Sequence, residues 1–334
     1  MDMNQWFIDL KNSRQKKAFP ILSFPCVQLL GITVNRLITD SDLQAKGMKA
    51  VADRCDSPAS VSMMDLSVEA EAFGSTIKTD DNEVPTVIGR VVEDAGGAEA
   101  LRVPQVGEGR TGLYLESLKK AAELITDRPV FAGVIGPFSL AARLIDMNEI
   151  MVNCYVEPEM VHLTLRKAAD FLTEYCKAYR ETGADGILMA EPAAGLLSPN
   201  LIDEFSTPYV KEIVDSQKTD SFAFIYHNCG NTVPLIDSIK KIGASAYHFG
   251  NSVNLEEILS LVPDDMLVLG NVDPAGQFRN GTPQSIYDDT IRIMKACGTH
   301  RNFIISSGCD IPPLSPWENI DSFFKAVKDF YGQS

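Results

Sequence analysis

The chain has 334 residues, 45% of them hydrophobic, which is enough to bury a large core as one big domain or two ordinary ones. Its 30 Lys and Arg against 45 Asp and Glu leave a net charge of −15, which excludes broad binding to nucleic-acid phosphates or anionic lipid. Seven cysteines, at 26, 55, 154, 176, 229, 297 and 309, form no spaced disulfide framework; free or metal-bound thiols and a cytoplasmic setting are expected.

In chain order, Arg14, Lys16 and Lys17 precede an apolar run over 18–32 that imitates a secretion signal. Pro20, Pro25, Gln28 and the lack of a small-residue cleavage site make a buried strand the better reading. No run reaches the roughly 18 apolar residues of a membrane helix, so none is expected. Short apolar runs recur along the whole length, each followed by helical spacing, which is the pattern of parallel βα units. Strands are predicted over 19–25, 62–65, 129–135, 185–191, 221–227, 246–249, 266–271 and 302–307. Eight units favour an α/β fold of the (β/α)8 TIM-barrel kind, with residues 1–334 as a single domain.

Between the second and third strands, residues 66–128 are too many for one crossover helix. Gly96-Gly97, Pro104, Gly107 and Gly109 predict a loop-rich, lid-like insertion ahead of a helix carrying Leu115, Leu118 and Ile125. Further on, Val161, Leu165, Ala168, Leu172, Tyr175 and Tyr179 share one helical face, and Gly183 is placed to end that helix. The last helix is expected to open at Ser315-Pro316-Trp317-Glu318, with Ser315 and Glu318 as a capping box.

In a barrel of this kind the chemistry lies where strands end. His227 and Cys229 close the fifth predicted strand, on one side of an extended chain, and Cys309 follows the eighth. One imidazole and two thiolates make a zinc set that leaves a fourth position for a substrate, whereas magnesium or calcium would require oxygen ligands. The same residues also suit a nucleophilic cysteine with His227 as its base, or a structural metal staple; the first leaves one thiol unexplained. Asp65, Glu191 and Asp273 end other strands. Glu191 is placed to be a fourth ligand or a base, while a helix cap is an equal reading for Asp273. His248, alone in an apolar strand, reads as structural, and the remaining cysteines read as small buried hydrophobes.

Several segments together resemble the uroporphyrinogen decarboxylase superfamily and, within it, the methylcobamide:coenzyme M methyltransferases. They are Met64-Asp-Leu-Ser-Val-Glu-Ala-Glu-Ala-Phe-Gly74, Gly136-Pro-Phe-Ser139, Glu191-Pro192 with Leu197-Ser-Pro199, Tyr226-His-Asn-Cys-Gly-Asn231, Gly270-Asn-Val-Asp273 and Gly308-Cys-Asp310. The resemblance implies a (β/α)8 barrel with zinc on His227, Cys229 and Cys309, catalytic roles at Glu191 and Asp65, and substrate contacts at Asn231 and Asp273. It also implies a zinc-activated thiol, such as coenzyme M, that exchanges a methyl group with a methylcobamide (corrinoid) carried by a separate corrinoid protein. The reverse direction, demethylating a donor onto the corrinoid, is equally compatible. The decarboxylase branch is known for an arginine-rich first strand that grips porphyrin carboxylates, and this chain has no basic residue between Lys17 and Arg36.

Overall fold

Apolar runs separated by helices bury both faces by pairing in parallel, and the chain does so in the computed structural model, which describes residues 1–332. The strands are β1 Ser60–Val61, β2 Thr76–Lys78, β3 Thr86–Ile88, β4 Val130–Ile135, β5 Gly186–Ala190, β6 Ala223–Asn228, β7 Ala246–Phe249, β8 Val268–Val272 and β9 Phe303–Ser307. Seven form one parallel sheet in the order β1-β4-β5-β6-β7-β8-β9, while β2 and β3 form a separate antiparallel hairpin. The sheet curls into the α/β barrel that the alternation predicts.

Residues 18–22 occupy the eighth position without forming the expected strand. Pro20 has no N–H, and the Ile21 N–H donates to the Ser307 hydroxyl at 3.0 Å, so the Phe19 N–H to Ile305 carbonyl bond (3.0 Å) is left as the backbone link to β9. The side chains still alternate: Phe19 and Ile21 join the barrel interior, and Ala18 and Leu22 the layer under the helices. β1 likewise ends at Val61 rather than spanning 62–65. The Ser62 hydroxyl accepts the Gly133 N–H at 2.9 Å, a donor that a continuing strand would bond through its carbonyl.

The interior is filled by Val61, Phe131, Leu188, Ile225, Leu269 and Ile304 among others. Helix Met3–Asn12 closes the end where the strands begin: Met3, Trp6 and Phe7 pack into the interior cluster, with the Trp6 ring 6.0 Å from Phe131. The Met3 N–H is tied to the Asp220 carbonyl at 2.7 Å, just before β6.

Around the sheet, the expected stripe of helix Pro158–Glu181 is buried from Val161 to Tyr179, and Gly183 follows with φ +93°. The final helix begins at Trp317. Pro316 then stands just before it and Ser315 one residue too early to cap, so the Ser315 hydroxyl is buried without a partner and the expected capping box does not form. Within 66–128 lie helix Val68–Ala72, the β2–β3 hairpin, helix Ala95–Ala100 and helix Thr111–Leu124, the last packed on helix Ser41–Arg54. A cavity of about 370 Å³ separates the hairpin's Val84 and Val87 from Met64, Leu66 and Arg143. Among the described residues, no helix is long and apolar enough to cross a membrane.

Candidate metal centre

Period two decides which strand-end side chains reach the barrel mouth. Ile225 points into the interior, so His227 two residues later does too, and Cys229 continues from the strand end. Cys309 enters from the loop after β9. Each of the three offers one ligand atom, and these atoms lie within 4.8 Å of one another. Close approach of the loops depends on Gly250, after β7, where a Cβ would sit 2.5 Å from the Cys229 Cα.

The electrostatics of the trio suit a cation. His227 Nε2 is buried and has no hydrogen-bond partner, while Nδ1 lies 2.8 Å from His248 Nδ1. The Cys229 thiol is held well below the ordinary range, first by its hydrogen bond from Cys309, against the effect of burial. Cys309, sharing that proton and buried, is pushed well up. Burial and the adjacent His227 hold His248 well below the usual imidazole range. A buried, unpartnered imidazole nitrogen grouped with two thiol sulfurs within 4.8 Å is a donor set that fits zinc. Among the described residues no further His, Cys, Asp or Glu joins the group.

The carboxylates have other neighbours. Glu191 is fully buried and turned to the start of helix Pro137–Ile145, where it accepts from the Phe138 N–H (2.7 Å), the Ser139 N–H (3.3 Å) and the Ser206 hydroxyl (3.3 Å). Burial nonetheless pushes it up to about 7. A Cβ at Gly136 would lie 1.7 Å from its Oε2, so only glycine leaves it room. Asp65 is held by Arg110 (2.5 Å), the Tyr114 hydroxyl (2.8 Å) and the Ser67 hydroxyl (2.5 Å). Arg110 also bonds Glu71 at 2.6 Å; burial opposes its charge, but Asp65 and Glu71 raise it above the usual guanidinium range.

Asn231 is exposed beside the trio's loop. Asp273 accepts the Ala275 and Gly276 N–H groups, both at 2.9 Å, as the cap of the turn Pro274–Arg279, and borders a cleft of about 610 Å³. Sequence reasoning missed Arg110 and Tyr114, which reach Asp65 from across the long insertion. It also missed Asp310, whose Oδ1 is buried without a partner next to Cys309, and it set aside His248. Ala246 shares an inward face with His248, the same parity that singled out His227.

Known proteins share much of this chain. A methylcobamide:CoM methyltransferase MtbA of Methanosarcina acetivorans is 31% identical over 270 residues, which are 80% of this chain and 78% of that protein. A uroporphyrinogen decarboxylase of Prochlorococcus marinus is 31% identical over 229 residues, 65% of this chain and 63% of that one. The solved structure of a methyltransferase from Methanosarcina mazei superposes with a TM-score of 0.86 at 22% identity, covering 99% of this chain and 98% of that one, so the two share the fold. The family model described as Uroporphyrinogen decarboxylase (URO-D) matches residues 25–330, and the chain belongs to that family.

Proposed function

We propose that the chain is a methyltransferase that moves a methyl group between a corrinoid on a separate corrinoid protein and a small thiol held at a zinc centre of His227, Cys229 and Cys309. The observation that carries this reading is the buried, unpartnered His227 Nε2 in one group with the Cys229 and Cys309 sulfurs, all within 4.8 Å of one another. Zinc held there would supply Lewis acidity that keeps a thiol deprotonated at neutral pH. In the transfer, the thiolate sulfur would give its electron pair to the methyl carbon, forming a carbon–sulfur bond, as the methyl–cobalt bond breaks with its pair left on the corrinoid, cobalt(III) becoming cobalt(I), the thiol proton having gone to solvent. The residues themselves hold the site: His227 and the cysteines fix its three corners, and the apolar interior beneath them excludes water. Coenzyme M is a candidate thiol because the Methanosarcina acetivorans relative is named for it.

Porphyrin decarboxylation has less support, since residues 18–35 contain no Arg or Lys to bind substrate carboxylates. Asp65 is already engaged by Arg110.

Incubation with methylcobalamin and small thiols is expected to give the spectral change of corrinoid demethylation. His227→Ala and Cys309→Ala should each lower the rate by about 100-fold or more, by analogy with the loss of a group that activates the nucleophile. Full activity in both folded variants would overturn the reading. Running methylated donors against reduced corrinoid fixes the direction.

A further inference from the structure

We infer that His248 and Ser306 are positioning residues that lock His227 in the one tautomer able to bind a cation through Nε2. The inference rests on the proposed metal centre and adds to it the residues that prepare the ligand. The argument runs from an atom whose role is fixed. The Phe19 carbonyl can only accept, so the Ser306 hydroxyl, 2.7 Å away, donates to it and has no second proton to give. Ser306 Oγ must therefore accept from His248 Nε2 at 2.7 Å. With its proton on Nε2, neutral His248 presents a bare Nδ1, which lies 2.8 Å from His227 Nδ1 and accepts from it.

A second contact points the same way. His227 Nδ1 also lies 3.3 Å from the His248 carbonyl, again an acceptor only. His227 therefore carries its proton on Nδ1, and Nε2, buried and unpartnered in the sulfur group, is the bare nitrogen. The imidazole need lose no proton when a cation arrives, and the partner on its far nitrogen sets the ring's orientation.

The relay runs from β6 through β7 to β9 and ends on Phe19, in the segment that fills the barrel's eighth position. His227 and His248 stand opposite each other in the β6–β7 register. β9 is not a neighbour of β7 in the sheet, so Ser306 is reached across the interior. The geometry of the cation site is thereby tied to the closure of the barrel.

Nitrogen-15 NMR of the four histidines in the metal-free wild-type chain should show His227 protonated on Nδ1 alone. A His227 proton on Nε2 would overturn the inference without any variant being made. Zinc affinity, measured by competition with a chromophoric chelator, should fall about 10–100-fold in His248→Leu and by less in Ser306→Ala. His248→Asn, whose amide oxygen stands near the place of Nδ1, should recover most of the loss, which a role in packing alone would not produce. Cobalt(II) bound in place of zinc should show a changed ligand-field spectrum in His248→Leu. Equal zinc affinity in wild type and His248→Leu overturns the relay, whereas a wild-type chain that binds no zinc overturns the centre itself.

Discussion

Asp65, in the loop after β1, and Glu191, just after β5, are both buried carboxylates, yet one is paired with a guanidinium and the other accepts from N–H and O–H dipoles. The difference decides what each tolerates. Removing Arg110 would leave Asp65, whose side chain has no exposed surface, as an uncompensated buried charge, for which about 3–5 kcal/mol is the usual cost. Arg110→Met is therefore expected to shift the urea midpoint strongly downward, and the double variant Arg110→Met with Asp65→Asn to regain a good part of it. An unshifted midpoint in the single variant would show that the ion pair contributes nothing net. Glu191 instead accepts the free N–H groups at the start of helix Pro137–Ile145, and β5, which it follows, pairs with the strand that carries His227.

Among the elements, the strands from β4 to β9 lie where apolar runs bounded by turns predict them, because burial on both faces leaves a continuous signal in the sequence. The two departures, at residues 18–22 and 62–65, share a cause that pattern reading does not capture: a serine hydroxyl stands in for a backbone group of the ladder. The grouping of His227, Cys229 and Cys309 was legible because Cys229 follows His227 by two residues at the end of β6 and Cys309 follows β9 by two. The His248–Ser306 relay was not, although both residues face inward, since it depends on which strands meet across the interior. Arg110 escaped for a similar reason, being 45 residues from Asp65 inside an irregular stretch. The serine at the seam is open to test. Ser307→Ala would strand the buried Ile21 N–H, at a cost of about 1–3 kcal/mol. Amide exchange at Ile21 should accelerate while that of β5 and β6 is little changed; uniform acceleration would mean that the seam is no weaker than the rest of the sheet.

Over the whole molecule, two buried acids give the stability a direction with pH. Burial pushes both Glu69 and Glu191 up to about 7. Unfolded glutamates release their protons near 4.5, so between there and about 7 the folded chain binds more protons than the unfolded one. The contribution of these groups is therefore greatest at low pH, declines as pH rises through that window and is level above it, by about 3 kcal/mol for each group. Urea midpoints compared between about pH 5 and about pH 8 should fall, and Glu69→Gln should flatten the fall; an unchanged slope in that variant would exclude Glu69 as a source.

The stopper formed by Met3, Trp6 and Phe7 has a kinetic meaning on the proposed reading. With the interior packed solid from that end up, traffic to Cys229 and Cys309 would pass the mouth where the strands end, and on that reading the thiol and the corrinoid carrier would share it. A docked carrier blocks the exit of whatever lies beneath, so the small molecule enters first and leaves last. Turnover then becomes a queue, and excess carrier slows it by trapping methylated product behind the door.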